Sequence, residues 1–135
     1  MHRARNFANQ YRQTGVSSAV LDASPHQLIA LMLAGARERT RLAVACLDRG
    51  DLPRKAQAIT DASAIVGGLN GALNLDAGGE IADGLHSLYD YAQRRLLDAN
   101  IENDAAPLHE VDALLGDIES AWLAIAPGAA AGPTP

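Results

Sequence analysis

Residues 28–36 read LIALMLAGA, nine positions without a charge or a polar side chain. Wound into a helix they make about two and a half turns, apolar all the way round. A helix lying on the surface of a domain needs only one apolar stripe. This stretch therefore demands cover on more than one side, and the rest of the chain has to supply it or leave part of it for something else.

The sequence is 135 residues long, which suits one domain with a modest core. Hydrophobic residues make up 48%, too many for a chain without a folded core, yet aromatics only 4%. The core must be built from Leu, Ile, Val and Ala, a set that favours helices over sheets. The one cysteine, Cys46, excludes an internal disulfide and is compatible with a reducing compartment. There is no run of about 18 apolar residues to span a membrane. The opening MHRARNFANQYRQTG lacks the apolar stretch of a secretory signal.

The net charge of −5 argues against nucleic acid as a partner. The charge is also unevenly spread, at +4 over residues 1–75 and −9 over residues 76–135. Two halves attracting each other within one fold explain this split most simply; an acidic face for a partner is the other reading. The basic cluster Arg37, Arg39 and Arg41 reads as a solvated face.

Glycine and proline divide the chain into a polar arm over residues 1–23, four helical segments over 24–126, and a low-complexity tail over 127–135 that is expected to be disordered. Ser24-Pro25-His26-Gln27 reads as a capping box with proline in the first turn, and Gly50 as the stop. The second helix is expected from Asp51 to near Leu75. Asp76-Ala77-Gly78-Gly79 breaks the chain, and the third helix runs from about Glu80 to Ile101. Asn103 or Asp104 caps the fourth, which ends by Ala126.

Apolar residues recur at alternating steps of three and four in each segment. The seams are Ile29, Leu33, Ala36, Thr40, Ala43 and Leu47 in the first; Ile59, Ala62, Val66, Leu69 and Leu73 in the second; Ile81, Leu85, Leu88, Ala92, Leu96 and Ala99 in the third; and Leu108, Val111, Leu115, Ile118, Trp122 and Ile125 in the fourth. With short connections, this predicts an all-α fold, an antiparallel up-and-down four-helix bundle.

One seam per helix closes such a core, but the first two helices have a second. Leu28, Leu31, Gly35 and Leu42 form it on the first helix, and Ala58, Ile65 and Ala72, flanked by Gly67, Gly68 and Gly71, on the second. The surplus serves either a wide core covered by the arm or a groove that accepts partner helices, where small residues let a foreign backbone come close.

Catalytic chemistry finds little to work with. A di-metal carboxylate bundle needs a Glu-x-x-His pair on each of two helices, and this chain offers only Asp83-x-x-His86. No catalytic residue, metal ligand or cofactor is assigned. Cys46 reads as a buried thiol, and His86 as structural or exposed. Asp90 with Arg94, and Arg95 with Asp98, read as ion pairs on a helix surface.

Several stretches go further than spacing. Tyr11 through Val20 leading into ASPHQLI, Gly35-Ala36 after a leucine-rich run, GGEIA at 78–82, and LYDYAQRRLLDANIEND at 88–104 followed by Trp122 stand in one order. In these the chain resembles the flagellar secretion chaperone family that holds flagellin, the FliS family, over roughly residues 8–126. The resemblance implies a cytoplasmic, non-enzymatic bundle. Its partner would be the C-terminal segment of flagellin, which is disordered before assembly and would be shielded from premature polymerisation and delivered to the flagellar type III export gate. It also implies an anti-sigma factor as a further partner and leaves a homodimer of the free protein open. The alternative is a four-helix adaptor or oligomerisation module with a different client.

On this resemblance the client contacts are Tyr11 on the arm, Leu28, Leu31, Met32 and Gly35 on the first helix, and Ile65 and Leu69 on the second. Tyr89, Asp90, Arg94 and Arg95 match the strongest motif and are expected to fix the third helix. Leu33 and Ala34 stand where the family often has an aromatic and an acidic residue, and Ala77 where it often has lysine. These departures bear on client choice and leave the fold untouched.

Overall fold

The computed structural model describes residues 23–73 and 75–125, with side chains except those of residues 75–77. These residues contain four helices: α1 (Pro25–Asp48), α2 (Leu52–Gly71), α3 (Leu75–Glu102) and α4 (Ala106–Leu123). Each packs on the next, and α4 returns to α1, so the helices form a closed ring about one core. The arm, including Tyr11, and the tail lie outside the described residues.

Side-chain bonds between helices set the register and show that neighbours are antiparallel. From α1 to α4, His26 bonds Trp122, and further along Arg37 bonds Glu119 and Asp112. From α2 to α3, Lys55 bonds Asn100, Gln93 bonds Ser63, and His86 bonds Asn70.

Local signals in the sequence place most of the ends. Ser24 Oγ accepts from Gln27 N at 3.2 Å while Gln27 Oε1 accepts from Ser24 N at 2.9 Å, the reciprocal pair of a capping box. Pro25 fills the first turn, where its missing N–H costs no helical bond. After α1 the chain turns through Gly50 at φ 72°, a left-handed conformation that glycine adopts without strain. Asp51 then caps α2 by accepting from Arg54 N.

Three ends differ from expectation. The second helix stops at Gly71, short of Leu75, because Gly67, Gly68 and Gly71 weaken its last turns. Helical bonding resumes at Leu75, ahead of the expected Glu80, but the chain kinks at Gly79 (φ 57°, ψ −138°), inside the predicted break. A Cβ on the preceding Gly78 would collide with Ala82, so the two glycines permit the bend. The cap of α4 is Ala105, with no side-chain bond of its own, and Asp104 Oδ1 accepts from Ala106 N instead.

The core follows the predicted seams on α1, α2 and α4, with Leu33, Ala36, Thr40, Ala43, Ile59, Ala62, Val66, Leu69, Leu108, Val111 and Leu115 buried. On α3 the first half of the seam is displaced by one residue. Ala82 and Tyr89 are buried, whereas Ile81 is 78% and Leu88 39% exposed. The observed set Ala82, Leu85, Tyr89, Ala92, Leu96 and Ala99 keeps the three-four step without interruption, and it turns the larger tyrosine ring inward. Ile125, expected on the fourth seam, falls two residues past the end of α4 and is exposed as well.

Candidate binding surface

Tyr11 aside, the predicted contact residues lie at one end of the α1–α2 pair, at the start of α1 and the end of α2. Gly35 and Ile65 lie equally far along the chain from the Gly50 turn, as do Leu31 and Leu69, so antiparallel packing brings each pair level. Leu28 and Leu31 are half-buried. Met32 is wholly enclosed, Gly35 is buried, and Ile65 and Leu69 keep only 7% and 2% of their surface. In this arrangement Met32, Ile65 and Leu69 belong to the central cluster, while Leu28 packs against its edge. Part of the second seam is thus a wide core, and Leu28, Leu31 and the 44% exposed Leu42 are what it leaves outside.

The α1–α4 side is electrostatic. Arg37 Nε donates to Asp112 at 2.9 Å and its terminal nitrogen to Glu119 at 2.7 Å, while Arg41 shares Asp112 at 3.1 Å. Arg37 therefore departs from the expected solvated face, whereas Arg41 stays 59% exposed, and both join the basic first half of the chain to its acidic second half. Burial alone would raise the Asp112 carboxyl, but the hydrogen bonds from Arg37 and Arg41 outweigh it and hold it below the usual range. The bonds to Asp112 and Glu119 raise the Arg37 guanidinium in turn. At the end of this seam the His26 and Trp122 rings stack with centroids 4.8 Å apart. Trp122 Nε1 donates to the His26 carbonyl at 2.9 Å, and His26 Nε2 lies 3.1 Å from the Trp122 carbonyl.

The motif residues of α3 divide. Tyr89 is 3% exposed, and burial pushes its hydroxyl up to about 12. Asp90 and Arg94 form an exposed pair at 3.7 Å. Arg95 bonds Asp98 at 2.9 Å and Glu110 of α4 at 2.7 Å, and Tyr91 donates to the same Glu110 at 2.8 Å. Hydrogen bonds from Arg95 and Tyr91 hold the Glu110 carboxyl low. Arg95 and Tyr91 thus tie α3 to α4, while Asp90 and Arg94 remain on the surface.

Two features escaped sequence reasoning. Leu97 and Ile101 of α3 are 57% and 70% exposed, and Leu97 with Asn100 lines a shallow open depression against Ile59, Thr60 and Ser63 of α2. Both residues lie off the three-four seam, which was the available signal. The other feature is Lys55, buried at 4% exposure and bonded to oxygens of α3. A lysine in the first turn of a helix looks no different in sequence from a solvated one.

Among the described residues no group of three or more His, Cys, Asp or Glu could hold a metal ion, and no helix is long and apolar enough to cross a membrane. Cys46 is buried, and the exposed His86 bonds Asn70 through Nδ1 at 2.7 Å.

A family profile described as flagellar protein FliS matches residues 7–129. The flagellar secretion chaperone FliS of Salmonella typhimurium is 46% identical over 120 residues, covering 88% of this chain and 89% of its own. FliSB of Pseudomonas aeruginosa, named likewise, is 42% identical over 88% of this chain and 94% of its own. The Bacillus subtilis chaperone of that name is 33% identical over 87% and 84%. With a match running from the arm past the end of α4, the chain belongs to the FliS family of flagellar proteins.

Proposed function

We propose that this chain is a flagellar export chaperone that binds the C-terminal segment of flagellin, keeps it from polymerising in the cytoplasm, and hands it to the flagellar type III export gate. The family match over nearly the whole chain carries this reading, since the relatives it aligns with are named as secretion chaperones. The apolar side chains left half-buried or exposed, Leu28, Leu31, Leu42, Leu97 and Ile101, support it. A client that orders on binding loses conformational entropy, and a broad apolar flank offsets that loss better than one tight pocket.

The contacts we assign are Tyr11 on the arm with Leu28 and Leu31 on α1. Met32, Gly35, Ile65 and Leu69 lie enclosed behind them, and a client contacts them only by parting α1 from α2. Tyr89, Asp90, Arg94 and Arg95 hold α3 in place. An anti-sigma factor as a second partner and a homodimer of the free protein belong to the same proposal.

The test is calorimetric titration of the full chain with intact flagellin and with flagellin lacking its C-terminal segment. Binding to the intact protein alone is the expected result. Equal binding to both would reject the assigned client segment, and binding to neither would favour an adaptor with another client.

A further inference from the structure

Lys55 lies in the first turn of α2, where the helix's own positive pole disfavours a cation. The residue is nevertheless only 4% exposed, and its ammonium lies against the C-terminal end of α3. It donates to the Asn100 carbonyl at 3.0 Å, to Asn100 Oδ1 at 2.8 Å and to Asn103 Oδ1 at 2.6 Å. Three acceptors meet the three N–H donors of a primary ammonium group. Among the described residues no carboxylate lies within ion-pair distance of it. What holds the charge is a set of neutral oxygens at the negative pole of α3. One of these, the Asn100 carbonyl, is among the last four of that helix, which have no partner within it. Asn103 takes part from φ 52°, a left-handed conformation that asparagine tolerates better than most residues.

We infer that the C-terminal turn of α3, with Asn100 and Asn103, is a receptor for a primary ammonium group, filled in this chain by Lys55. Lys55 is thereby the positioning residue for the last turns of α3. Those turns carry Leu97 and Ile101, and Asn100 is both a ligand of the ammonium and part of the depression against Ile59, Thr60 and Ser63. The chemistry is selective. A quaternary ammonium has no N–H to give, and a methionine side chain fills the stem but leaves three oxygens without a donor. This inference is independent of the client, so its failure and that of the chaperone reading are separate results.

The experiment is amide hydrogen exchange on the full-length Lys55→Ala protein, with and without n-propylammonium, which replaces the missing atoms from Cγ to Nζ. Amides near the end of α3 should exchange at least tenfold faster than in the unsubstituted protein, while those in the middle of α1 stay unchanged. Propylammonium should restore protection saturably, and tetramethylammonium at equal ionic strength should not. Unchanged protection at the end of α3, or equal restoration by both ions, overturns the inference. Should Lys55→Ala not fold, Lys55→Met is measured in its place, and protection equal to the unsubstituted protein counts against the receptor. Should neither fold, circular dichroism of Lys55→Ala during refolding decides: recovery with propylammonium but not tetramethylammonium supports it, and no recovery refutes it.

Discussion

Tyr89 shows how one side chain's environment becomes a property of the whole fold. Its ring is buried in the central cluster, and its hydroxyl is pushed from 10 to about 12 by burial. Below about pH 10 both folded and unfolded chains keep the proton. Between 10 and 12 the unfolded chain gives it up first, so stability falls with rising pH across that window. Two units correspond to about 2–3 kcal/mol at the upper end. Tyr91 shifts the same way through its bond to Glu110, so Tyr89→Phe should flatten the alkaline loss without abolishing it. Urea unfolding from pH 8 to 12 checks this: the two proteins should run parallel up to about pH 10 and converge or cross above it. Curves parallel throughout would mean that the buried hydroxyl does not titrate as described.

Helices differ in how much of their packing can be read from sequence, and glycine makes the difference measurable. Gly84 on α3 and Gly116 on α4 are both helix-interior glycines that cost about 1 kcal/mol relative to alanine. A Cβ at Gly84 meets nothing within 4 Å, whereas one at Gly116 would lie 3.0 Å from the Arg37 guanidinium carbon. Gly84→Ala should therefore stabilise the protein by roughly 0.5–1 kcal/mol. Gly116→Ala should gain less or lose stability, because Arg37 must shift by a few tenths of an ångström while bonded to Asp112 and Glu119. Denaturant midpoints of the two variants test this, and equal gains would show that Arg37 is not seated on α4. The sequence marks both positions only as glycines inside a helix. It does show the seams of α1, α2 and α4, the capping box and the break at Gly79, because those are patterns within one helix. The inward turn of Tyr89 in place of Leu88 and the burial of Lys55 depend on what the neighbouring helix presents, and no local pattern carries that.

At the scale of the molecule, two imbalances seen in the sequence are resolved differently. The opposite charges of the two halves meet within the fold, as Arg37 and Arg41 pair with Asp112 and Glu119, and Arg95 on the acidic half pairs locally with Glu110. The apolar surplus is only partly absorbed. Met32, Ile65 and Leu69 go into the core, but Leu28 and Leu31 stay half-buried, and Leu42, Leu97 and Ile101 stay exposed. A client that covers such surface binds the folded chain and not the unfolded one, so it must stabilise the fold by mass action. At a free client concentration a hundredfold above the dissociation constant the gain is about 2.7 kcal/mol. For a bundle of this size that raises the melting temperature by on the order of 10 °C. Thermal unfolding followed by circular dichroism should show this rise growing logarithmically with intact flagellin. Flagellin without its C-terminal segment should leave the transition where it was. The association should also have a negative heat-capacity change, because apolar area leaves water. A melting point insensitive to intact flagellin would mean that the exposed leucines and isoleucine are shielded by something else, and the client would then have to be sought by its affinity for those side chains.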